Sequence, residues 1–340
     1  MRLRQRIESL RERGPYRVAV LLALCAFTAT AMLLALRFGS LRLRAEDIIT
    51  ILLGGGTPVQ RQIVLNVRLP RNIAAALVGV CLSVAGVILQ GVMRNPLAAP
   101  NIIGVTGGGG LAAMIILIAL PRYFQLLVPA AFIGALAATA LIYALAWKRG
   151  VLPGRMILAG VAVSSLLGAF INALMVFFPD RVSGVVDFMV GGLSGRSWKH
   201  VAILWPYCAA GTLGALAFSK HLNILALGDE VATSLGIDVE RTRATLIALS
   251  SLLAGAAVSV AGLLGFVGLI APHMMRLVIG SDHRFLVPAS ALFSAGLLVG
   301  CDTLGRMILD PVELPVGIIM AILGAPFFLF LLRARRRHVA

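Results

Sequence analysis

The sequence predicts an all-α membrane protein of about ten transmembrane helices, and three observations carry that expectation. Hydrophobic residues make up 59% of the 340 and charged residues 13%, with a mean hydropathy of +0.97, well outside the range of soluble domains. Uncharged stretches recur at about the 20 residues that a helix needs to cross a hydrocarbon core. Both ends are rich in arginine, six before Val18 and four after Leu332.

The first span runs from Val18 to Leu36. Basic residues precede it, as in a signal peptide, but it is longer than a typical h-region and "RFGSLRLR" offers no small-residue cleavage site, so it reads as a retained span. Ile73 to Met93, Asn101 to Leu120, Leu126 to Trp147 and Met156 to Phe178 complete the first half. Val201 to Ser219 opens the second half, followed by a run from Ala244 to Ile270 that is too long for one crossing. That run is expected to break at Gly265, with Phe266 to about Ile279 returning as a shorter span. Val287 to Cys301 and Leu314 to Leu332 bring the total to ten. An even number places both termini on one side, and the arginine-rich ends make that side the cytoplasm. The chain then divides into a basic N-terminus (1–17), a ten-span domain (18–332) and a basic C-terminus (333–340). The formal net charge of +16 reads as anchoring against anionic lipid and requires no nucleic acid partner. Six arginines run against the bias, because Arg37, Arg42, Arg44, Arg61, Arg68 and Arg71 share one outer loop.

An internal echo suggests inverted repeats covering spans 2–5 and 7–10. "SVAGVILQGVMRNP" (83–96) and "SVAGLLGFVGLIAP" (259–272) share SVAG and a proline at the same distance, and spans separated by an odd number of crossings run in opposite directions. The alternative is that small residues recur in membrane helices because they allow close packing. Cys25, Cys81, Cys208 and Cys301 are solitary, so neither a disulfide framework nor a zinc site is indicated.

Absences narrow the function. No G-x-x-x-x-G-K-[ST] run appears, so the chain lacks that device for cradling ATP. No Asp, Glu, Lys or His is expected well inside a span, where ion-coupled carriers usually keep such groups; Asn172 is the one clearly polar amide placed there. No apolar segment offers a nucleophile with a base. His273, Asp282 and His283 straddle a turn without recognised metal-ligand spacing and read as interfacial, leaving no metal site. A conduit driven by another protein's energy remains, with a stand-alone ion-coupled secondary transporter built from inverted repeats as the alternative.

"RLPRNIAAALVGVCLSVAGVILQGVMRNPLAAPNIIGVTGG", "LALGDEVATSLGI", "GFVGLIAPHMMRL" with "SDHR", and "ELPVGIIMAILGAPFFLFLL" closely resemble the FecCD/BtuC-type permeases of ABC importers for iron-siderophores, haem and cobalamin. The similarity runs from about residue 15 to the C-terminus, and the motifs occur in the family's order. It implies a BtuC-like type II importer permease in the bacterial inner membrane, paired with a second copy of itself. Two ATP-binding cassette subunits would lie on the cytoplasmic face and a periplasmic or lipid-anchored substrate-binding protein outside. The cargo would be a bulky metal chelate, most often an iron-siderophore. The chain itself would bind no cofactor and would not be an enzyme, ATP being used by the partner ATPase.

The resemblance also implies roles for particular residues. Arg68, Arg71 and Arg306 would face outward and meet acidic residues of the binding protein; the plainer reading is that they anchor helix ends at the headgroups. The loop from Lys220 to Arg243 carries a short helix signal in its own right. Gly228 and Asp229 can start it, Leu227, Val231 and Leu235 recur every fourth residue, and Gly236 can stop it. The family places its ATPase coupling helix here, with Glu230 in the same turn, and a four-residue spacing suits a helix presented to a groove. The stripe could equally lie on the permease itself. In "RNPLAAP", Asn95 and Leu97 would be cytoplasmic gate residues, or members of an ordinary turn stiffened by two prolines.

Overall fold

Apolar stretches of this length can hide their backbone polar groups in a bilayer only by bonding them within a helix, and every named element of the structure is helical. The computed structural model describes residues 14–39, 43–101, 104–147 and 153–336. Most of the basic N-terminal segment, the last four residues and Arg42 lie outside the described residues. We number the helices α1 Gly14–Arg37, α2 Ala45–Leu52, α3 Leu69–Val92, α4 Val105–Met114, α5 Leu127–Ala146, α6 Pro153–Phe177 and α7 Val186–Val190. The second half contains α8 Trp198–Ala217, α9 Ser219–Leu225, α10 Asp229–Ser234, α11 Val239–Ala261, α12 Val267–Ile279, α13 His283–Ile308 and α14 Val316–Arg336. Among the described residues, seven helices are long and apolar enough to cross a membrane and three more are shorter but apolar, at 105–119, 267–279 and 316–329. Together they match the ten expected spans. The chain is a multi-pass membrane protein.

Three span boundaries differ from expectation, each for a physical reason. The outer loop that was to hold Arg68 and Arg71 is largely helix: Pro58–Val92 is one continuous 35-residue element whose Gln62–Arg68 segment is π-helical. Pro70 does not break it, because it stands in the first turn of the α-helical stretch after that segment, where a missing N–H costs least. The seventh span ends at Gly262, three residues before the expected break at Gly265, which lies in the same non-helical connection 262–266. Gly262 adopts φ +74°, a region that glycine enters without steric penalty, and a Cβ there would run into the Phe188 carbonyl oxygen, which accepts the Leu263 N–H at 2.9 Å. The ninth span reaches past Cys301 to Ile308 and takes in Asp302 and Arg306.

Helix α3 is the axis of the bundle. In its most apolar window 78% of residues are buried, against 6% in α1 and 17% in α6, so this chain leaves most of the surface of the last two uncovered. Helices α8, α11 and α13 pack along α3, while α4 and α5 pair with each other and α1 lies on α13. Small residues set these distances, as expected where lipid is as apolar as the helices themselves. A Cβ on Gly86 would collide with the carbonyl oxygen of Gly268 in α12. Gly86→Val is therefore expected to prevent stable accumulation of the protein in membranes. Wild-type levels and an unchanged thermal midpoint in detergent would contradict that packing.

The SVAG echo does not mark equivalent positions. Residues 83–86 lie mid-helix in α3, whereas 259–262 are the last turn and C-cap of α11. Asn172 is exposed on α6, and the deeply buried amides are instead Asn72 and Gln90, 1% and 3% exposed.

Candidate functional site

Helix α3 has 24 residues and so spans about 36 Å at 1.5 Å per residue, separating two polar ends of the molecule. At its first turn, Arg71 makes a two-pronged bond to Asp302 of α13, Nε to Oδ2 and Nη2 to Oδ1, both at 2.9 Å. Its Nη1 donates to Glu313 Oε2 at 2.8 Å. Arg306, one turn after Asp302, lies 3.3 Å from the same carboxylate and donates to Thr303 Oγ1 at 3.1 Å. Arg68 donates to the backbone oxygens of Leu36 and Arg37 at 2.7 and 3.3 Å, closing the end of α1. A planar fork of donors that stays charged suits all three positions.

The resemblance implies that these three arginines face outward, and in the structure they are covered by their own chain. Arg68, Arg71 and Arg306 are only 4%, 8% and 6% exposed, because α1, α3 and α13 converge over them. What this end shows to solvent is the rim around them, with Glu313, Arg44 and Arg61 exposed. A further arginine stands nearby in the segment between α7 and α8. Burial lowers the pKa of Arg196, an effect that Asp187 opposes and Arg71 reinforces, and its Nε has no hydrogen-bond partner.

At the other end of α3 the chain turns sharply. Arg94 adopts φ +48°, uncommon for a residue with a side chain, and the reversal brings its guanidinium 3.6 Å from Asp229. Asp229 is the first residue of α10 and also accepts two 3.0 Å bonds from Arg243 of α11. Arg243, 2% exposed, holds Glu240 at 3.1 Å as well. Acidic side chains at the start of a short helix also favour its dipole. Thus α10 is pinned at its base, with Ala232 buried, while Leu227, Val231 and Leu235 remain 67%, 41% and 60% exposed. Gly228 and Gly236 flank it with φ +121° and +80°, and Glu230 is exposed.

In the turn after α3, Asn95 Oδ1 accepts the Leu97 N–H at 2.9 Å, an Asx-type turn that fixes the loop locally, and Leu97 is half-buried. The "SDHR" segment joins the end of α12 to the start of α13. Asp282 caps α13 by accepting the Arg284 N–H, and its carboxylate also takes the Arg284 side chain at 2.7 Å and Asn223 at 2.8 Å. Burial alone would raise the Asp282 pKa, but the Arg284 and Asn223 bonds outweigh it and lower it to about 2. A depressed carboxylate contributes stability above its ordinary pKa of 3.8, and that contribution fades as pH falls from there toward 2.

The model of the FecCD transport family matches residues 26–334. The chain belongs to this family. Among curated FecCD relatives, the cobalamin import system permease protein BtuC of Halobacterium salinarum is 44% identical over 82% of this chain and 76% of its own length. The Fe(3+)-citrate import system permease protein YfmE of Bacillus subtilis is 38% identical over 93% of this chain and 95% of its own. The hemin transport system permease protein HmuU of Yersinia pestis is 40% identical over 81% and 84%. A solved structure described as an inward-facing metal-chelate type ABC transporter superposes with a TM-score of 0.84 at 28% identity, covering 93% of this chain and 99% of that one.

Sequence reasoning missed the acidic partners that organise both ends of this FecCD chain. Asp302 lies 231 residues from Arg71, and a rule that stops spans at charge leaves it outside the ninth. Arg94 and Arg243 carry no local signal. The one available hint is the Asp229–Glu230 pair at the start of α10, which calls for cations nearby.

Proposed function

We propose that this chain is the membrane-spanning permease subunit of an ABC importer that moves a bulky metal chelate inward by alternating access. An iron-siderophore is the favoured cargo, with haem and cobalamin of the same class. The observation that carries this reading is the family match across residues 26–334, supported by the inward-facing structural neighbour. The α10 end is the cytoplasmic one and both termini share it, consistent with Arg17 and Asp282, 3.5 Å apart there. In this reading Leu227, Val231 and Leu235 enter a groove of an ATP-binding cassette subunit, which hydrolyses the ATP. Asn95 and Leu97 close the pathway on that side, joined to α10 through Arg94 and Asp229. Two copies form the pathway in the bacterial inner membrane.

The opposite end receives the substrate-binding protein. Arg68, Arg71 and Arg306 support that surface from within, and the exposed rim that includes Arg44, Arg61 and Glu313 meets the partner. Rim charges mainly govern encounter rate and orientation. The detergent-solubilised chain is expected to be dimeric and to hydrolyse no ATP alone. ATP hydrolysis by the purified chain, free of partners, would overturn the assignment of the motor to a separate subunit.

A further inference from the structure

At the α10 end, α3 and α12 finish and α13 begins around a cavity of about 300 Å³. Gln90, Arg94, Asn95, Arg276, Ser281 and His283 line it. Arg276, in the last turn of α12, is half-buried, and its side chain forms no hydrogen bond or ion pair with a described residue. Arg94 has Asp229 at 3.6 Å, but Arg243 already binds that carboxylate through two bonds. The other nearby acid, Asp282, is occupied by Arg284 and Asn223. Arg276 therefore faces the cavity with no carboxylate of its own, a costly arrangement for a half-buried cation, and Arg94 beside it shares Asp229 with Arg243 and remains open to solvent on the cavity side.

Two acceptors without donors stand beside these cations. Gln90, 3% exposed, donates its Nε2 to the Gly268 oxygen at 3.2 Å, and its buried Oε1 has no partner. His283, 4% exposed, places Nδ1 2.7 Å from Asn223 Oδ1, while its buried Nε2 has none. Asn223 uses its amide nitrogen on Asp282, so its oxygen accepts and the His283 proton sits on Nδ1. Nε2 is then a bare acceptor.

A fitting ligand must bring an oxyanion for the two arginines and hydroxyl donors for Gln90 and His283. Inorganic phosphate supplies the charge with few donors, and a neutral polyol supplies the donors without charge. We propose that this cavity binds a glycerol phosphate group, presented either by phosphatidylglycerol in the leaflet on the α10 side or as a free ester. The phosphate would meet the Arg276 and Arg94 forks and the glycerol hydroxyls would satisfy Gln90 and His283. Membrane-spanning helices begin and end at the cavity, which sets it at headgroup depth, where basic pockets between helices take lipid headgroups.

The test is native mass spectrometry of the full chain from mixed micelles of phosphatidylglycerol and phosphatidylcholine. The wild type is expected to retain phosphatidylglycerol preferentially. Arg276→Gln should weaken that retention about tenfold, and Arg276→Lys, which keeps the charge in a fold-conserving variant, should weaken it less. Gln90→Leu should reduce retention of phosphatidylglycerol but not of phosphatidic acid, which lacks the glycerol headgroup. Arg284→Gln, on the Asp282 fork, should change nothing. Competition by free glycerol phosphate at equal concentration would assign the soluble ester, and its failure would assign the lipid. Equal retention of both lipids, or the same loss in Arg276→Gln and Arg284→Gln, would overturn the proposal. So would displacement of the lipid when ATPase subunits bind, since a partner carboxylate would then be the occupant. No arm measures transport, so failure here leaves the permease reading intact.

Discussion

Replacing Leu235 or Val231 by Asp is expected to detach the ATPase subunits while leaving the membrane helices assembled. Both side chains are exposed, 60% and 41%, so neither change disturbs the bundle. Seated in an apolar groove, however, an unpaired carboxylate costs several kcal/mol, and about 3 kcal/mol already weakens binding roughly a hundredfold. Co-purification with the ATPase should fall to background with an unchanged melting profile of the permease alone. Arg94→Gln should behave differently. It removes the 3.6 Å link between the turn after α3 and Asp229, so the ATPase should stay bound while uptake falls. If the Asp variants still co-purify and transport normally, α10 is not the seat of the motor.

The second large effect is at the opposite end. Asp302, 2% exposed, is the common partner of Arg71 and Arg306, and Asp302→Ala leaves both cations buried without it. Breaking a buried pair from one side costs about 3–5 kcal/mol, so the thermal midpoint should drop sharply. The double variant Arg71→Met with Asp302→Leu should be milder than Asp302→Ala, because no charge of that pair is stranded. Glu313→Gln should lie near wild type, its side chain being 43% exposed and its ion pair correspondingly screened. Comparable midpoints for Asp302→Ala and Glu313→Gln would show that the cluster does not hold this end together.

The parts of this structure that were legible in the sequence are those governed by local pattern. Apolar length alone yields the ten helices, and α10 is visible because Leu227, Val231 and Leu235 repeat every fourth residue between two glycines that can break a helix. What escaped depends on partners far away in the chain. Asp302 looks like a span terminator until Arg71 neutralises it. Arg68 and Arg71 look like loop cations because Leu69–Pro70 reads as a break, and only the π-helical stretch before it shows how the helix continues. The connection around Gly265 starts earlier than expected, at Gly262, because of the Phe188 carbonyl, which no neighbouring residue announces. Arg94 owes its link to α10 to a left-handed backbone that its sequence does not favour.

Uptake into proteoliposomes holding this chain tests its central role most directly. With the partner ATPase and binding protein present, a ferric chelate should accumulate only when ATP is supplied on the α10 side, and a protonophore should leave the rate unchanged. Accumulation driven by a proton gradient, without ATP or the ATPase, would contradict the account and establish a secondary carrier.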